Sequence, residues 1–165
     1  MRTKRIGRCS TPASVYQQWR VVSLDGSTLD VAETAENEEA FGRPGASRGA
    51  IAFPIIRFVA LLENGTHVLW AACMDRYSVD EWKLAEAVIP ALRKGMLCLA
   101  DRFFPSHKLW LAAASTGADL LWRTRSNAIL HPDQHLPDGS CLSRIYPSTA
   151  DRRRDPNAMV VRVID

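Results

Sequence analysis

Met96-Leu97-Cys98-Leu99-Ala100-Asp101-Arg102 is the stretch on which the fold turns: an unbroken apolar run, then a carboxylate and a guanidinium with no polar transition between. Such a run, with no alternation, predicts a strand covered on both faces that delivers Asp101 at its end. Upstream, Val21 to Leu24 is a shorter apolar run that stops at Asp25 and Gly26. It predicts a second buried strand, again with a carboxylate at or near its end.

The chain between and beyond these two strands can be read from its punctuation. A polar, Glu-rich stretch follows Asp25, and GRPGASRG at 42–49 is a loop by composition. From Ile51 to Leu62 the sequence is apolar and β-branched, breaks at Asn64-Gly65, and resumes from His67 to Cys73, which predicts an antiparallel hairpin. Ser78, Val79, Asp80 and Glu81 form a capping-box pattern, with Trp82, Ala85, Ile89 and Leu92 spaced for one helical face. Pro90 should kink or end that helix and Gly95 should close it. Ser106 can cap another helix through Thr116, Gly117 can end it, and Leu120 to Trp122 begins a strand. The predicted order is β, β, β, α, β, α, β. Beyond Arg125 the pattern thins to a hairpin at Asp138-Gly139 and a last strand from Met159 to Ile164, with no helix evident.

Composition bounds the class. A chain of 165 residues that is 47% hydrophobic can build one domain with a core. It has no apolar window of membrane-spanning length and no signal-peptide core, so a soluble, cytoplasmic protein is expected. The four cysteines, Cys9, Cys73, Cys98 and Cys141, lack zinc-ligand spacing, and Cys73 and Cys98 read as buried thiols. Net charge is +3, but its distribution is uneven: the start is basic, Asp25 to Glu39 is acidic, and Arg123, Arg125 and Arg152 to Arg154 return positive charge. Three segments follow: a basic lead-in at 1–20, an α/β core at 21–125 and a β-rich segment at 126–165.

Two strand-end carboxylates meet only if their strands are neighbours, and the predicted order allows the first and fourth strands to lie side by side. That is the RNase H-like arrangement, a mixed sheet flanked by helices. Asp25 and Asp101, adjacent and both ionised, would repel each other unless a divalent cation sat between them. Mg²⁺ suits hard oxygen ligands, and a pair of such ions about 4 Å apart can clamp the attacking and leaving oxygens of a phosphodiester. A phosphatase of the haloacid-dehalogenase type needs an aspartate two positions before the Asp-Gly; Ser23 stands there, which sets that reading aside.

The stretches LDGSTLDVAETAENEEAFGRPGASRG around Asp25, FVALLENGTHVLWAACM across the hairpin and LADRFFPSHKLW around Asp101 resemble bacterial transposases of the insertion-sequence-4 type. GADLLWRTRSN and LPDGSCLSRIYP follow in the same order, so the resemblance runs from about Val21 to the last residue. It implies an RNase H-like fold, dependence on Mg²⁺ or Mn²⁺, binding to the terminal repeats of a mobile DNA element, strand cleavage and transfer, and a homodimer in a full-length form. It makes Asp25 the first acid of a DDE triad and Asp101 the second. The family has glycine directly after the Asp-Arg pair, where this chain has Phe103. Its third acid is a glutamate on a late helix, and here no glutamate follows Glu86. The resemblance therefore implies an incomplete catalytic domain, truncated or decayed before the final helix, with 126–165 as a β-rich insertion.

Arg102 beside the second acid could contact a phosphate or form a salt bridge. Arg43 and Arg48 border a Gly-rich loop that could follow a DNA backbone. Arg123 and Arg125 alternate, so on a strand they would share a face and form a phosphate-contacting strip. Trp70, Trp82, Trp110 and Trp122 read as core, and the four histidines show no metal or triad spacing. The alternative to a nuclease is a non-catalytic nucleic-acid-binding remnant of the same fold.

Overall fold

The computed structural model describes residues 15–44, 53–148 and 158–164. Its main sheet has the strand order β4-β3-β2-β5-β6, built from β2 (Trp19–Asp30), β3 (Ile55–Glu63), β4 (Leu69–Arg76), β5 (Met96–Ala100) and β6 (Asp119–Trp122). A two-residue strand, β1 (Val15–Tyr16), pairs with the start of β2. The β2–β3 and β3–β4 pairs are antiparallel, whereas β5 pairs in parallel with both β2 and β6. The expected neighbourhood of the first long strand and β5 is thus present, in an α/β fold with a mixed sheet.

Among the described residues three helices accompany the sheet: α1 (Ala35–Phe41), α2 (Glu81–Val88, continued by a 3-10 turn at Ile89–Ala91) and α3 (His107–Ser115). The last two bury Leu84, Ala85, Val88, Ile89, Leu109 and Ala113 against Val22, Leu24, Val59, Leu61, Cys98, Ala100 and Trp122 of the sheet. Ser106 caps α3 by accepting from the Leu109 N–H at 3.2 Å, and Gly117, at φ 78°, closes it in the left-handed region that glycine adopts without strain. A second, three-stranded sheet holds β7 (Gln134–His135), β8 (Cys141–Ile145) and β9 (Met159–Val163), antiparallel throughout, with Gly139 in the β7–β8 turn as the Asp-Gly pair predicts. Among the described residues no helix is long and apolar enough to cross a membrane.

Several expectations need correction. The first strand does not stop at Asp25; it runs to Asp30, because β3 pairs with it from Val22 to Asp30 and supplies a ladder that local sequence does not reveal. The Glu-rich stretch contains a helix, α1, capped by the Thr34 hydroxyl, which accepts from the Asn37 N–H. β5 is not covered on both faces: Met96, Cys98 and Ala100 are buried, but Leu97 and Leu99 are half-exposed on the side opposite α2 and α3. Leu121 (53% exposed) and Met74 (63%) extend this apolar open face across the sheet. Trp82 is not core either, at 39% exposed; the buried face of α2 is made by Leu84, Ala85 and Val88 instead. Ser78 is not the cap of α2, whose N-cap is Asp80. Cys98 is fully buried and Cys73 partly so, and both are free thiols. Arg123 and Arg125 do not share a strand face, since β6 ends at Trp122.

Candidate functional site

β2 and β5 pair in parallel from Arg20↔Met96 to Leu24↔Ala100. Asp25 and Asp101 are the next residue on each chain. Side chains alternate across a sheet, so Asp25 falls on the open face, opposite the buried Leu24, whereas Asp101 follows the buried Ala100 at the very end of β5 and begins the turn that leaves the sheet. Neighbouring strands lie about 4.8 Å apart, so the backbones at positions 25 and 101 are neighbours in the sheet. Both residues are exposed. Among the described residues neither enters an ion pair.

The same rung continues onto the next strand. β5 and β6 pair up to Ala100↔Trp122, and the Arg123 N–H still donates to the Ala100 carbonyl at 2.9 Å. Arg123 thus follows the last rung of β6 as Asp101 follows that of β5, giving an acid, acid, arginine row along the backbone of three adjacent strands of the sheet.

Each acid is oriented by its own backbone. Oδ1 of Asp25 accepts from the Gly26 N–H at 2.8 Å, and Oδ1 of Asp101 accepts from the Phe103 N–H, also at 2.8 Å. The Asp101 carbonyl accepts from the Phe104 N–H at 3.4 Å, which turns the chain sharply, and the Phe104 side chain plugs the core at 1% exposure. The first turn of α2 closes on this end of the sheet. A Cβ on Gly26 would meet the Glu81 carboxylate at 3.1 Å, and the Trp82 indole N–H donates to the Phe103 carbonyl at 3.0 Å. Glu81 faces Arg57 across 4.0 Å. The Trp82 clamp escapes sequence reading because a tryptophan at apolar spacing signals core; its place in the first helical turn, beyond the packed face, is the one available clue.

The remaining arginines divide. Arg102 is exposed beside Asp101, Arg125 donates from Nε to the Arg102 carbonyl at 3.3 Å, and the Arg123 N–H reaches the Ala100 carbonyl, so the three arginines belong to the turn and strand end that carry the second acid. Arg43 is engaged elsewhere, with Glu33 at 3.1 Å and Glu38 at 2.9 Å. Its pairing with Glu38 and then Glu33 raises its pKa, and Arg43 in turn holds the Glu38 carboxyl below its ordinary value. Arg43 follows α1, past the far end of β2, about 16 Å of strand beyond Asp25. Arg48 lies outside the described residues. A cleft of about 860 Å³ opens beside this corner, between the β6 edge, the start of α3 and the three-stranded sheet, with Arg123, Arg125, Arg144 and Tyr146 among its lining residues.

Exposed carboxylates at neighbouring positions of two paired strands are of the chemical kind that a hard divalent cation takes. Mg²⁺ is commonly held by one or two carboxylates while its other positions stay with water or phosphate, so the pair fits such an ion. Among the described residues no group of three or more His, Cys, Asp or Glu side chains could hold a metal.

No family model matches the chain, and no solved structure matches it. It is 25% identical over 157 residues to the transposase InsG for insertion sequence element IS4 of Escherichia coli (strain K12), a match covering 94% of this chain and 36% of that protein. It is also 27% identical over 104 residues to the putative transposase InsZ of the same organism, covering 62% of this chain and 35% of that protein. The chain spans about a third of the length of these curated relatives. Both of these relatives are named as transposases, one of them only as a putative one.

Proposed function

We propose that this chain supplies part of the catalytic domain of a DNA transposase, on an RNase H-like sheet, with Asp25 and Asp101 jointly holding Mg²⁺ or Mn²⁺. The carrying observation is that these two acids immediately follow the last rung shared by β2 and β5. The central strand order, with an antiparallel β2-β3-β4 meander and β5 parallel to β2, supports the fold reading. The DNA partner follows from the names of the two relatives and from the gathered arginines.

When bound, the cation supplies Lewis-acid activation of a phosphodiester and of the water or 3′-hydroxyl that attacks it. The protein's own contribution is positional. Asp25 and Asp101 fix the ion on a rigid sheet, their Oδ1 atoms anchored by the N–H groups of Gly26 and Phe103. Arg123 and Arg102 offer planar donors to the flanking phosphates, and Arg125 steadies the turn through the Arg102 carbonyl. The acid pair alone leaves the attacking group poorly placed, so strand transfer by these 165 residues is expected to be undetectable on a supercoiled plasmid with Mn²⁺. Recognition of terminal repeats and pairing of two copies belong to this reading of a full-length form, acting in the cytoplasm.

A non-catalytic nucleic-acid-binding remnant is the second reading, favoured by the arginine group, which needs no ion to hold phosphate. Fluorescence anisotropy of a labelled duplex separates the two. Binding that weakens with salt and tightens with Mg²⁺, and that loses only the Mg²⁺ effect in Asp25→Asn or Asp101→Asn, supports the metal-dependent centre. Salt-sensitive binding indifferent to chelation in the unmodified chain supports the remnant. No binding even at low salt overturns both.

A further inference from the structure

Phe103 is displayed rather than merely left exposed. Its N–H is held by the Asp101 carboxylate at 2.8 Å, and its carbonyl by the Trp82 indole at 3.0 Å. The preceding carbonyl, of Arg102, is held by Arg125 at 3.3 Å. The next ring, Phe104, is locked in the core at 1% exposure. Within this pinned turn the Phe103 ring stands 56% exposed, with the Arg102 guanidinium 6.0 Å from its centre. Exposed apolar side chains are common when single and loosely held. Here the backbone on both sides of the ring is fixed, the residue lies two positions from an acid of the candidate centre, and a second aromatic, Trp82, is itself 39% exposed.

We infer that the Phe103 ring is a stacking platform for an unpaired nucleobase whose phosphate is held by the Arg102 guanidinium, beside the Asp25 and Asp101 pair. An aromatic face beside a cation is the arrangement that takes a base on the ring and its phosphate on the guanidinium, whatever the base. A fully paired duplex hides its base faces and offers the ring nothing. The platform therefore favours DNA whose strands are open at the reacting position. This inference rests on the DNA-binding reading above but not on the metal.

The test compares two oligonucleotides of one sequence, one fully paired and one with a short single-stranded tail carrying 2-aminopurine. The expected result is tighter binding of the tailed form, with quenching of the 2-aminopurine as it stacks. Phe103→Ala should weaken tailed binding by about ten-fold and abolish the quench, while paired-duplex affinity stays within about two-fold. Phe103→Trp should restore both, which a purely structural role for the ring would not require. Equal weakening on both oligonucleotides, a quench that survives Phe103→Ala, or no preference for the tailed form overturns the platform. Mn²⁺ binding measured in parallel keeps the two ideas apart. A chain that quenches the base but binds no Mn²⁺ keeps the platform and loses the metal centre, and the converse result keeps the centre and loses the platform.

Discussion

The carboxylate of Asp101 bonds to its own chain before it meets anything else, and Phe104 anchors the turn that this bond begins. Truncating that buried ring should loosen the loop as well as the core. Phe104→Ala is expected to lower stability by about 3–5 kcal/mol in urea denaturation; a cost below about 1 kcal/mol would show that the turn is held without it. Burial gives Cys98 a different signature. Desolvation raises its thiol from 9.0 to about 11. The folded state therefore keeps the proton longer than the unfolded one, so this stabilisation is complete below pH 9 and is lost as pH rises towards 11. Across that window the unmodified chain should lose roughly 2 kcal/mol more stability than Cys98→Ala, and identical pH profiles would contradict the burial account. At this scale the sequence was informative where chemistry changes abruptly. Leu99-Ala100-Asp101-Arg102 announces the second acid by its own contrast, whereas the place of Trp82 in a first helical turn does not say that its indole will clamp a carbonyl twenty-one residues away.

Elements were legible where their ends carry local signals. Ser106 and Gly117 bracket α3, Asn64-Gly65 turns the hairpin, and Asp138-Gly139 turns β7 into β8. Replacing Ser106 with Ala should cost about 1 kcal/mol by freeing the Leu109 N–H, measured as a lower urea midpoint at unchanged slope; an unchanged midpoint would show that the cap contributes nothing. What stayed hidden depends on partners distant in sequence. β2 runs past Asp25 because β3 offers it a ladder, and β5 alternates in burial because helices cover only the face carrying Cys98. An apolar run cannot by itself distinguish a strand covered twice from one whose second face is left apolar and open. Arg123 likewise reads as strand but lies just beyond β6, where it completes the row begun by Asp25 and Asp101.

Across the whole molecule, parallel pairing of β2, β5 and β6 brings together residues from sequence positions 25, 101 and 123, and the arginine-lined cleft lies next to them. The neighbouring positions of the two acids could be anticipated from the strand order, while the arginine partners and the cleft required tertiary structure. If these arginines hold DNA phosphates, Arg123→Ala should weaken duplex binding evenly across sequences and reduce the salt dependence by about one unit of slope; an unchanged slope would remove Arg123 from the interface. In the proposed centre two acids, seventy-six residues apart, hold a single ion. Titrating the chain with Mn²⁺ and following the free ion by electron paramagnetic resonance tests it most directly. The account predicts a site present in the unmodified protein and lost in both Asp25→Asn and Asp101→Asn; Mn²⁺ uptake that is absent, or identical in all three proteins, would contradict it.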